Sequence, residues 1–340
     1  MYCDTRRLAK VSDARMNRGR LRRLSLFQTA MKLSTFVLKS DRRRPRVGAL
    51  SGGKMLDLAQ SAHHSGDDAT PANSMKGLLA LGKGGLDWAR RLLARPMNQA
   101  LHALDAVEFL PPVPDPDKFL CVGKNYRTHL EELKRTGLIK EIPGEPTGFV
   151  KLNSCLAGHD AEVERPADVV HFDYEPELVF VIGKPAHRVT KARAFDHAVG
   201  ITILNDLTCR DTQKREVASG SRFWTAKNAP GFGPLGPWII TMDEVRDPYD
   251  IWVTCHVNGE LRMRVNTGDQ IWKLPDIIEH FSRLVPLHPG DMFSTGAPGG
   301  VAVGKPNAAE LFLKPGDVVE CSFEEPRMTL RNRIVAPRES

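Results

Sequence analysis

Residues 173–184 read Asp-Tyr-Glu-Pro-Glu-Leu-Val-Phe-Val-Ile-Gly-Lys, so two spaced glutamates open an apolar, β-branched run. The run predicts a buried strand, and residues two apart on a strand share a face. The Cα atoms of Glu175 and Glu177 should therefore lie about 6.5 Å apart. Carboxylates crowded beside apolar side chains repel each other and are costly to bury without a cation. The spacing favours a metal site, with solvated acids at a strand end as the alternative.

A third carboxylate fits the same pattern. Asp206 follows the apolar run Val199–Leu204, so it also stands at the end of a predicted strand. Three oxygen ligands without a nearby histidine or cysteine favour Mg²⁺ or Mn²⁺, with Ca²⁺ as a further choice, over Zn²⁺. Asp173 shares the parity of the glutamates, but we interpret it as a turn residue.

A histidine and a glutamate lie three residues apart in a predicted helix over 126–138. His129 and Glu132 would be neighbours on one helical face. A carboxylate beside an imidazole fixes the tautomer and raises the basicity of the ring, as a general base requires. The alternative is an ordinary surface pair on an amphipathic helix.

Two further clusters could hold anionic groups. Arg210 and Gln213 precede Lys227, a lysine among Trp, Ala and Pro residues that suits a developing oxyanion. The turn Ser294–Gly300 is rich in glycine and could offer backbone N–H groups to an anion, but it lacks the ending of a P-loop. The alternatives are that Lys227 is an ordinary solvent-exposed lysine and that Ser294–Gly300 is only a tight connection between strands.

Charge and composition exclude several function classes. Residues 1–30 hold eight basic and two acidic residues, so this leader carries +6 of the formal net charge of +7. The rest of the chain is nearly neutral, which argues against a nucleic-acid partner. No apolar run is long enough to span a bilayer, so we expect no membrane partner and a soluble protein.

The leader and the cysteines bear on location. The leader lacks the apolar region of a secretory signal; it is either an organelle transit peptide or an extension upstream of a start at Met31. We favour the extension and exclude 1–30 from the fold as disordered or not native. The six cysteines are scattered without a C-x-x-C pair, so we expect a reducing, cytoplasmic setting.

The remaining chain divides at a proline cluster. A small α+β domain is predicted over 31–110, a Pro-rich linker over 111–117 and the main domain over 118–340. Many short strands and few crossover helices in the main domain predict an α+β protein with a mixed β-sheet roll or sandwich. The local predictions for the first domain are a strand at 33–38, a basic turn at 42–46, a loop at 63–74, and helices at 75–81, 86–93 and 97–104.

Taken in order, these motifs resemble the fumarylacetoacetate hydrolase superfamily, in particular its acylpyruvase and 2-hydroxyhepta-2,4-diene-1,7-dioate isomerase-like members. The resemblance covers about 118–335 and rests on Val122–Tyr126, Asp173–Leu178, Asn205-Asp206, Arg210–Gln213, Lys227, Pro234–Pro237 and Thr295–Pro298. One departure is Asn228-Ala229-Pro230 after Lys227, where many relatives read Ser/Gly-Phe-Asp. This departure concerns the identity of the substrate more than the type of reaction.

The resemblance implies roles for nine residues. It implies that Glu175, Glu177 and Asp206 bind Mg²⁺ or Mn²⁺, and that His129 and Glu132 form a dyad on a lid helix that deprotonates water. It further implies that Lys227 is catalytic and that Arg210, Gln213 and Thr295 bind the substrate. A mixed β-roll and a homodimer are also implied.

The expected reaction is hydrolysis of a carbon–carbon bond in a 2,4-dioxo acid of the acylpyruvate or fumarylpyruvate type. We favour hydrolysis because the dyad can activate water, which a decarboxylation does not need. The alternatives within the superfamily are an isomerase, hydratase, decarboxylase or lyase acting on oxaloacetate, an unsaturated oxo acid, a sugar acid or ureidoglycolate. A non-catalytic metal-binding module is the alternative of another class. If the protein is an enzyme, we expect its partner to be a small-molecule oxo-acid substrate.

Overall fold

Strands and short helices alternate along the chain in the computed structural model, which describes residues 31–135, 144–220 and 224–337. The strands are β1 (Lys32–Leu38), β2 (Asp41–Ser51), β3 (Lys54–Asp57), β4 (Leu101–Ala103), β5 (Val107–Phe109), β6 (Phe119–Gly123), β7 (Thr147–Val150), β8 (Leu156–Ala157), β9 (Glu162–Glu164), β10 (Phe172–Asp173), β11 (Pro176–Ile182), β12 (Ala198–Asn205), β13 (Thr208–Cys209), β14 (Gly233–Pro234), β15 (Ile239–Thr241), β16 (Trp252–Val257), β17 (Glu260–Asn266), β18 (Met292–Ser294), β19 (Val318–Phe323) and β20 (Met328–Val335). The α-helices are α1 (Leu58–Ser65), α2 (Met75–Ala80), α3 (Lys83–Ala94), α4 (Arg127–Arg135), α5 (Arg210–Ala218), α6 (Leu274–Ser282) and α7 (Ala308–Leu311). Within the described ranges, no helix is both long and apolar enough to cross a bilayer.

Two sheets carry most of the fold. The larger has eleven strands in the order β4-β3-β2-β1-β15-β12-β11-β18-β6-β7, with β5 also pairing with β1. The smaller has five strands in the order β17-β16-β19-β20-β9. Strands β11 and β12 of the larger sheet pack against β16, β19 and β20 of the smaller. The predicted α+β class with a mixed β-sheet sandwich is confirmed.

Strand β11 is buried on both faces, which explains its unbroken apolar sequence. Leu178 and Phe180 belong to the core between the two sheets. Val179 and Val181 point to the opposite face, where the core includes apolar residues of helices α1 to α3. The glutamates at the start of β11 therefore stand at the edge of the best-packed part of the molecule.

Residues 31–110 share the larger sheet with the rest of the chain. Lys32 of β1 pairs with Ile240 of β15, and the described residues from Met31 onward form one compact unit. The proline segment is packed as well, since Pro111–Val113 is buried and the Thr35 hydroxyl donates to the Pro112 carbonyl at 2.7 Å. An independent folding boundary at 111–117 stays a prediction.

Three local predictions in this segment are wrong. The predicted loop over 63–74 begins inside α1, which is capped by the Asp57 carboxylate and ends at Gly66 with a φ of 74°. The predicted basic turn lies within β2, because the β1–β2 hairpin already turns between Leu38 and Asp41. The predicted helix over 97–104 contains β4 instead, because pairing with the edge of β3 outweighs the helical spacing of the apolar residues.

Candidate metal centre

The register of β11 and β12 brings three carboxylates together. These strands are antiparallel, with Pro176 opposite Asn205, and the Asp206 N–H donates to the Glu175 carbonyl at 2.8 Å. Glu175, Glu177 and Asp206 are all buried, and each offers an oxygen within 4.8 Å of the others. The structure therefore groups the three predicted metal ligands, although Asp206 follows Glu177 by 29 positions in sequence.

Buried cations contact two of these carboxylates. The Lys227 ammonium lies 2.5 Å from Glu175 Oε2 and 2.6 Å from Asp206 Oδ2. Lys151 Nζ lies 2.6 Å from Asp206 Oδ1, and Arg210 Nη2 lies 2.6 Å from Glu175 Oε1. Burial acts to raise the pKa of Glu175, but Lys227 and Arg210 outweigh it and hold that pKa below its usual range.

Glu177 has a different environment. The Ser294 hydroxyl donates to its carboxylate, and no cation of the described residues lies within ion-pair distance. Burial and the neighbouring Asp206 and Glu175 charges raise the pKa of Glu177 well above its usual value. The surroundings of Glu177 therefore disfavour the ionised form of its carboxylate.

The donor set fits a hard divalent cation. Four carboxylates and three cationic side chains are buried together, so ionisation of all seven groups leaves one negative charge in excess: Asp173, Glu175, Glu177 and Asp206 against Lys151, Arg210 and Lys227. A divalent cation would relieve the repulsion that falls on Glu177. Three oxygen ligands with no histidine or cysteine in the group are what Mg²⁺ and Mn²⁺ prefer.

The predicted dyad forms on helix α4. His129 Nδ1 lies 3.4 Å from Glu132 Oε2, and His129 is buried. The Gly300 N–H donates to Glu132 Oε1 at 2.8 Å, so the glutamate also anchors the helix to the glycine-rich turn. Gly304 permits this approach, because a Cβ at that position would come within 2.6 Å of Glu132 Oε2.

A family model described as fumarylacetoacetate (FAA) hydrolase C-terminal matches residues 118–335. The chain belongs to the fumarylacetoacetate hydrolase family. It is 34% identical over 298 residues to "Oxaloacetate tautomerase fahd2, mitochondrial" of Xenopus laevis, covering 87% of this chain and 88% of that one. It is 38% identical over 275 residues to "Oxaloacetate tautomerase FAHD2A, mitochondrial" of Homo sapiens, covering 81% and 82%. It is 36% identical over 250 residues to "Oxaloacetate tautomerase YisK" of Bacillus subtilis, covering 73% and 79%.

Solved structures agree with the family assignment. A fumarylacetoacetate hydrolase from Exiguobacterium antarcticum superimposes with a TM-score of 0.72 at 31% identity, covering 91% of this chain and 100% of that one. A maleylpyruvate hydrolase from Sphingobium sp. SYK-6, solved with manganese(II) and pyruvate, gives 0.71 at 26% identity and covers 91% and 100%. Divalent metal binding in the family is thus represented by a structure of the same architecture.

The carboxylate triad of this family member opens into a cavity of about 640 Å³. His129, Lys227, Arg210 and Gln213 also line this cavity. Arg210 donates from Nε to Asp173 Oδ2 at 2.8 Å and from Nη1 to Gln213 Oε1 at 3.0 Å. The guanidinium is therefore committed mainly to protein groups, and it positions Gln213 at the cavity wall.

Thr295, like Glu132, is a predicted site residue that does not line the cavity. Its hydroxyl donates to the Leu178 carbonyl at 3.0 Å and lies 3.3 Å from the Tyr126 hydroxyl. The next residues, Gly296 and Ala297, do line the cavity. Substrate binding through the Thr295 side chain stays a prediction. In the structure its hydroxyl already has a hydrogen-bond acceptor within the protein, the Leu178 carbonyl.

Sequence reasoning missed or misread several residues of the site. Asp173 is no turn residue: it is fully buried and accepts from Arg210 and from the N–H groups of Ala302 and Val303. Lys151 received no role, although a lysine directly after the strand residues Phe149 and Val150 was a usable signal. The contact of Ser294 with Glu177 depends on the pairing of β18 with β11, which no local pattern revealed.

Proposed function

We propose that this protein is a metal-dependent tautomerase that interconverts the enol and keto forms of oxaloacetate or a closely similar 2-oxo dicarboxylic acid. The observation that carries the proposal is the similarity, over 73–87% of the chain, to relatives from two vertebrates and a bacterium that are all named oxaloacetate tautomerase. The comparisons thus favour the isomerase alternative over the carbon–carbon hydrolase first expected from the sequence.

The metal would be held by Glu175, Glu177 and Asp206. A divalent cation there supplies a Lewis acid for the 2-oxo carboxylate group and stabilises negative charge on the enolate oxygen. The remaining work falls to side chains of the cavity.

His129 is the group proposed to move the proton. Tautomerisation removes a proton from the enol oxygen and adds one to the neighbouring carbon, so it needs an acid–base group beside the substrate. Glu132 accepts at Nδ1 of His129, and this leaves Nε2 to exchange the proton. The same pair would also activate water, and for that reason the dyad alone does not distinguish tautomerisation from hydrolysis.

Lys227 is proposed to act through its charge. Burial acts to lower its pKa, but Asp206 and Glu175 outweigh burial and raise that pKa above its ordinary value. The side chain therefore stays an ammonium at neutral pH and does not serve as a base. A fixed positive charge beside the carboxylate cluster stabilises an enolate as it develops.

The test follows enol oxaloacetate by its absorbance, with Mg²⁺ or Mn²⁺ and with EDTA. We expect accelerated loss of the enol that needs the metal, and NMR should identify keto oxaloacetate as the product, without pyruvate. His129→Gln should lose turnover while Mn²⁺ still stabilises the protein. Cleavage of acylpyruvates without any effect on oxaloacetate would favour the hydrolase, and inactivity on both substrate classes would favour the metal-binding module.

Assembly and location are further proposals. The family resemblance supports a homodimer, which light scattering after gel filtration would test. The relatives from X. laevis and H. sapiens are named mitochondrial, and residues 1–30 are rich in arginine and poor in acids, as transit peptides are. Fusion of residues 1–30 to a fluorescent reporter separates a mitochondrial from a cytoplasmic location.

A further inference from the structure

A second histidine–carboxylate pair lines the same cavity. His171 Nδ1 lies 2.5 Å from Asp211 Oδ1, and the backbone N–H of His171 donates to Asp211 Oδ2 at 3.1 Å. The imidazole also packs against Phe312, with 4.8 Å between ring centroids. The Asp211 carboxylate is therefore bound by both the ring and the backbone of His171, and Phe312 packs against the ring. The proposed mechanism gives this pair no role.

The pair lies at the open end of the cavity. The side chains of His171 and Asp211 are 43% and 31% exposed, whereas that of Glu175 is 6% exposed. His171 precedes Glu175 by four residues, so their Cα atoms are at most about 14 Å apart even in a fully extended chain. A small dicarboxylate bound at the metal centre by one end would have its other end inside the cavity that His171 and Asp211 line.

The second carboxylate of a dicarboxylic substrate needs a hydrogen-bonding partner at the open end of the cavity. The Lys227 and Arg210 cations near the metal centre already contact buried carboxylates. Burial acts to raise the pKa of Asp211, but hydrogen bonds from the His171 side chain and backbone outweigh it and lower that pKa, so Asp211 is an anion at neutral pH. A substrate carboxylate at Nε2 would place the imidazole of His171 between two anions, and the ring in its cationic form would donate a charge-assisted hydrogen bond to each.

We propose that His171, oriented by Asp211, binds the carboxylate at the far end of the substrate and thereby selects dicarboxylic over monocarboxylic 2-oxo acids. The assignment rests on the proposed tautomerase function. Lys214 also lines the cavity, but its side chain is exposed, so water screens its charge. The imidazole is already fixed, so binding costs it little side-chain entropy.

The experiment compares two ligands that differ at the far end. Oxaloacetate has the second carboxylate on a CH₂ arm, whereas oxalate can occupy the metal end but has no such arm. In His171→Gln we expect KM for oxaloacetate to rise about tenfold or more, with kcat within about threefold and the inhibition constant of oxalate unchanged. Asp211→Asn should shift KM in the same direction by a smaller factor. His187→Gln, at an exposed histidine outside the cavity, is the matched control.

Three results would overturn the assignment. A loss of kcat without a change in KM would make His171 an acid–base group, and an equal loss of affinity for oxalate would make it a general support of the pocket. If KM for oxaloacetate rises as much in Lys214→Gln as in His171→Gln, the selection would come from the overall positive charge of the cavity mouth and not from His171. Circular dichroism and urea unfolding of each variant separate these results from misfolding.

Failure of the proposed function can be recognised separately. If the wild-type protein does not convert enol oxaloacetate with any metal, the tautomerase proposal fails. Calorimetric titration of the Mn²⁺-loaded protein with oxaloacetate and with oxalate then still tests His171. Weaker binding of oxaloacetate alone in His171→Gln supports the assignment, and unchanged binding of both ligands refutes it.

Discussion

Replacement of Lys151 by methionine is the most direct test of the charge balance around the carboxylate cluster. Lys151 is 1% exposed, and its ammonium donates to Asp206 Oδ1 at 2.6 Å and to the carbonyls of Lys227 and Phe232 at 2.5 and 2.9 Å. Methionine keeps most of the volume, so the change removes these bonds without opening a large cavity.

The expected loss is about 3–5 kcal/mol of unfolding free energy, the usual cost of removing one partner of a buried ion pair. Two buried carbonyls lose their donor, at about 1–3 kcal/mol each. Two effects oppose this loss: the ammonium no longer has to be desolvated, and Asp206 keeps its contact with Lys227. The net value should therefore lie within the stated range and below the sum of the separate terms.

Urea unfolding followed by circular dichroism at pH 7 measures the change. Lys191→Met is the control, because its ammonium pairs with Asp276 at 2.6 Å while its side chain is 56% exposed. Water screens such a surface pair, so its loss should change the stability little. A loss below about 1 kcal/mol in the Lys151 variant would refute the view that this buried ammonium stabilises the site.

Three further predictions concern the metal, the lid helix and pH. Mn²⁺ at about one hundred times its dissociation constant should raise the unfolding free energy by about 2.7 kcal/mol, and Glu177→Gln should abolish most of that gain; a gain that persists in the variant argues against Glu177 as a ligand. Asp269 accepts from the Thr128 N–H at 3.0 Å and from its hydroxyl at 2.6 Å, so Asp269→Ala should lower kcat roughly five- to tenfold, the equivalent of a lost helix cap, while Mn²⁺ stabilisation is kept. Unchanged kcat would show that the start of α4 needs no such anchor. Burial lowers the pKa of His159 below 6.5, so the unfolded chain binds the proton more readily and stability should fall as pH drops through that value. His159→Gln should weaken this fall in a comparison of urea midpoints at pH 5 and 7, and identical pH profiles would contradict the reasoning.

The carboxylate cluster could be predicted because its signal is local. Two glutamates before an apolar strand, and an aspartate after another, place carboxylates at strand ends whatever the rest of the sheet does. The resemblance then placed the dyad on α4, where helical spacing brings His129 and Glu132 together. Both features depend on backbone periodicity, which the sequence carries directly.

The missed features depend on contacts between distant segments. Lys151 reaches Asp206 across 55 positions, and His171 reaches Asp211 across 40, so neither pair has a period that the sequence could display. The predicted helix over 97–104 was wrong for the same reason, since β4 forms only because the edge of β3 is available to pair with it. Thr295 shows the limit of transfer by motif: the position matches, but the hydroxyl bonds to the Leu178 carbonyl.

Glu132 contacts the imidazole of His129 and accepts from the N–H of Gly300 on the facing turn. Because His129 and Glu132 both belong to α4, a swing of that helix away from the turn breaks the Gly300 contact and carries the dyad away from the carboxylate cluster. One movement of α4 then both opens the cavity to a molecule and displaces the proposed proton-transfer group, so the open form would be inactive. Such a coupling would prevent proton transfer to a bound molecule until α4 has closed over the cavity.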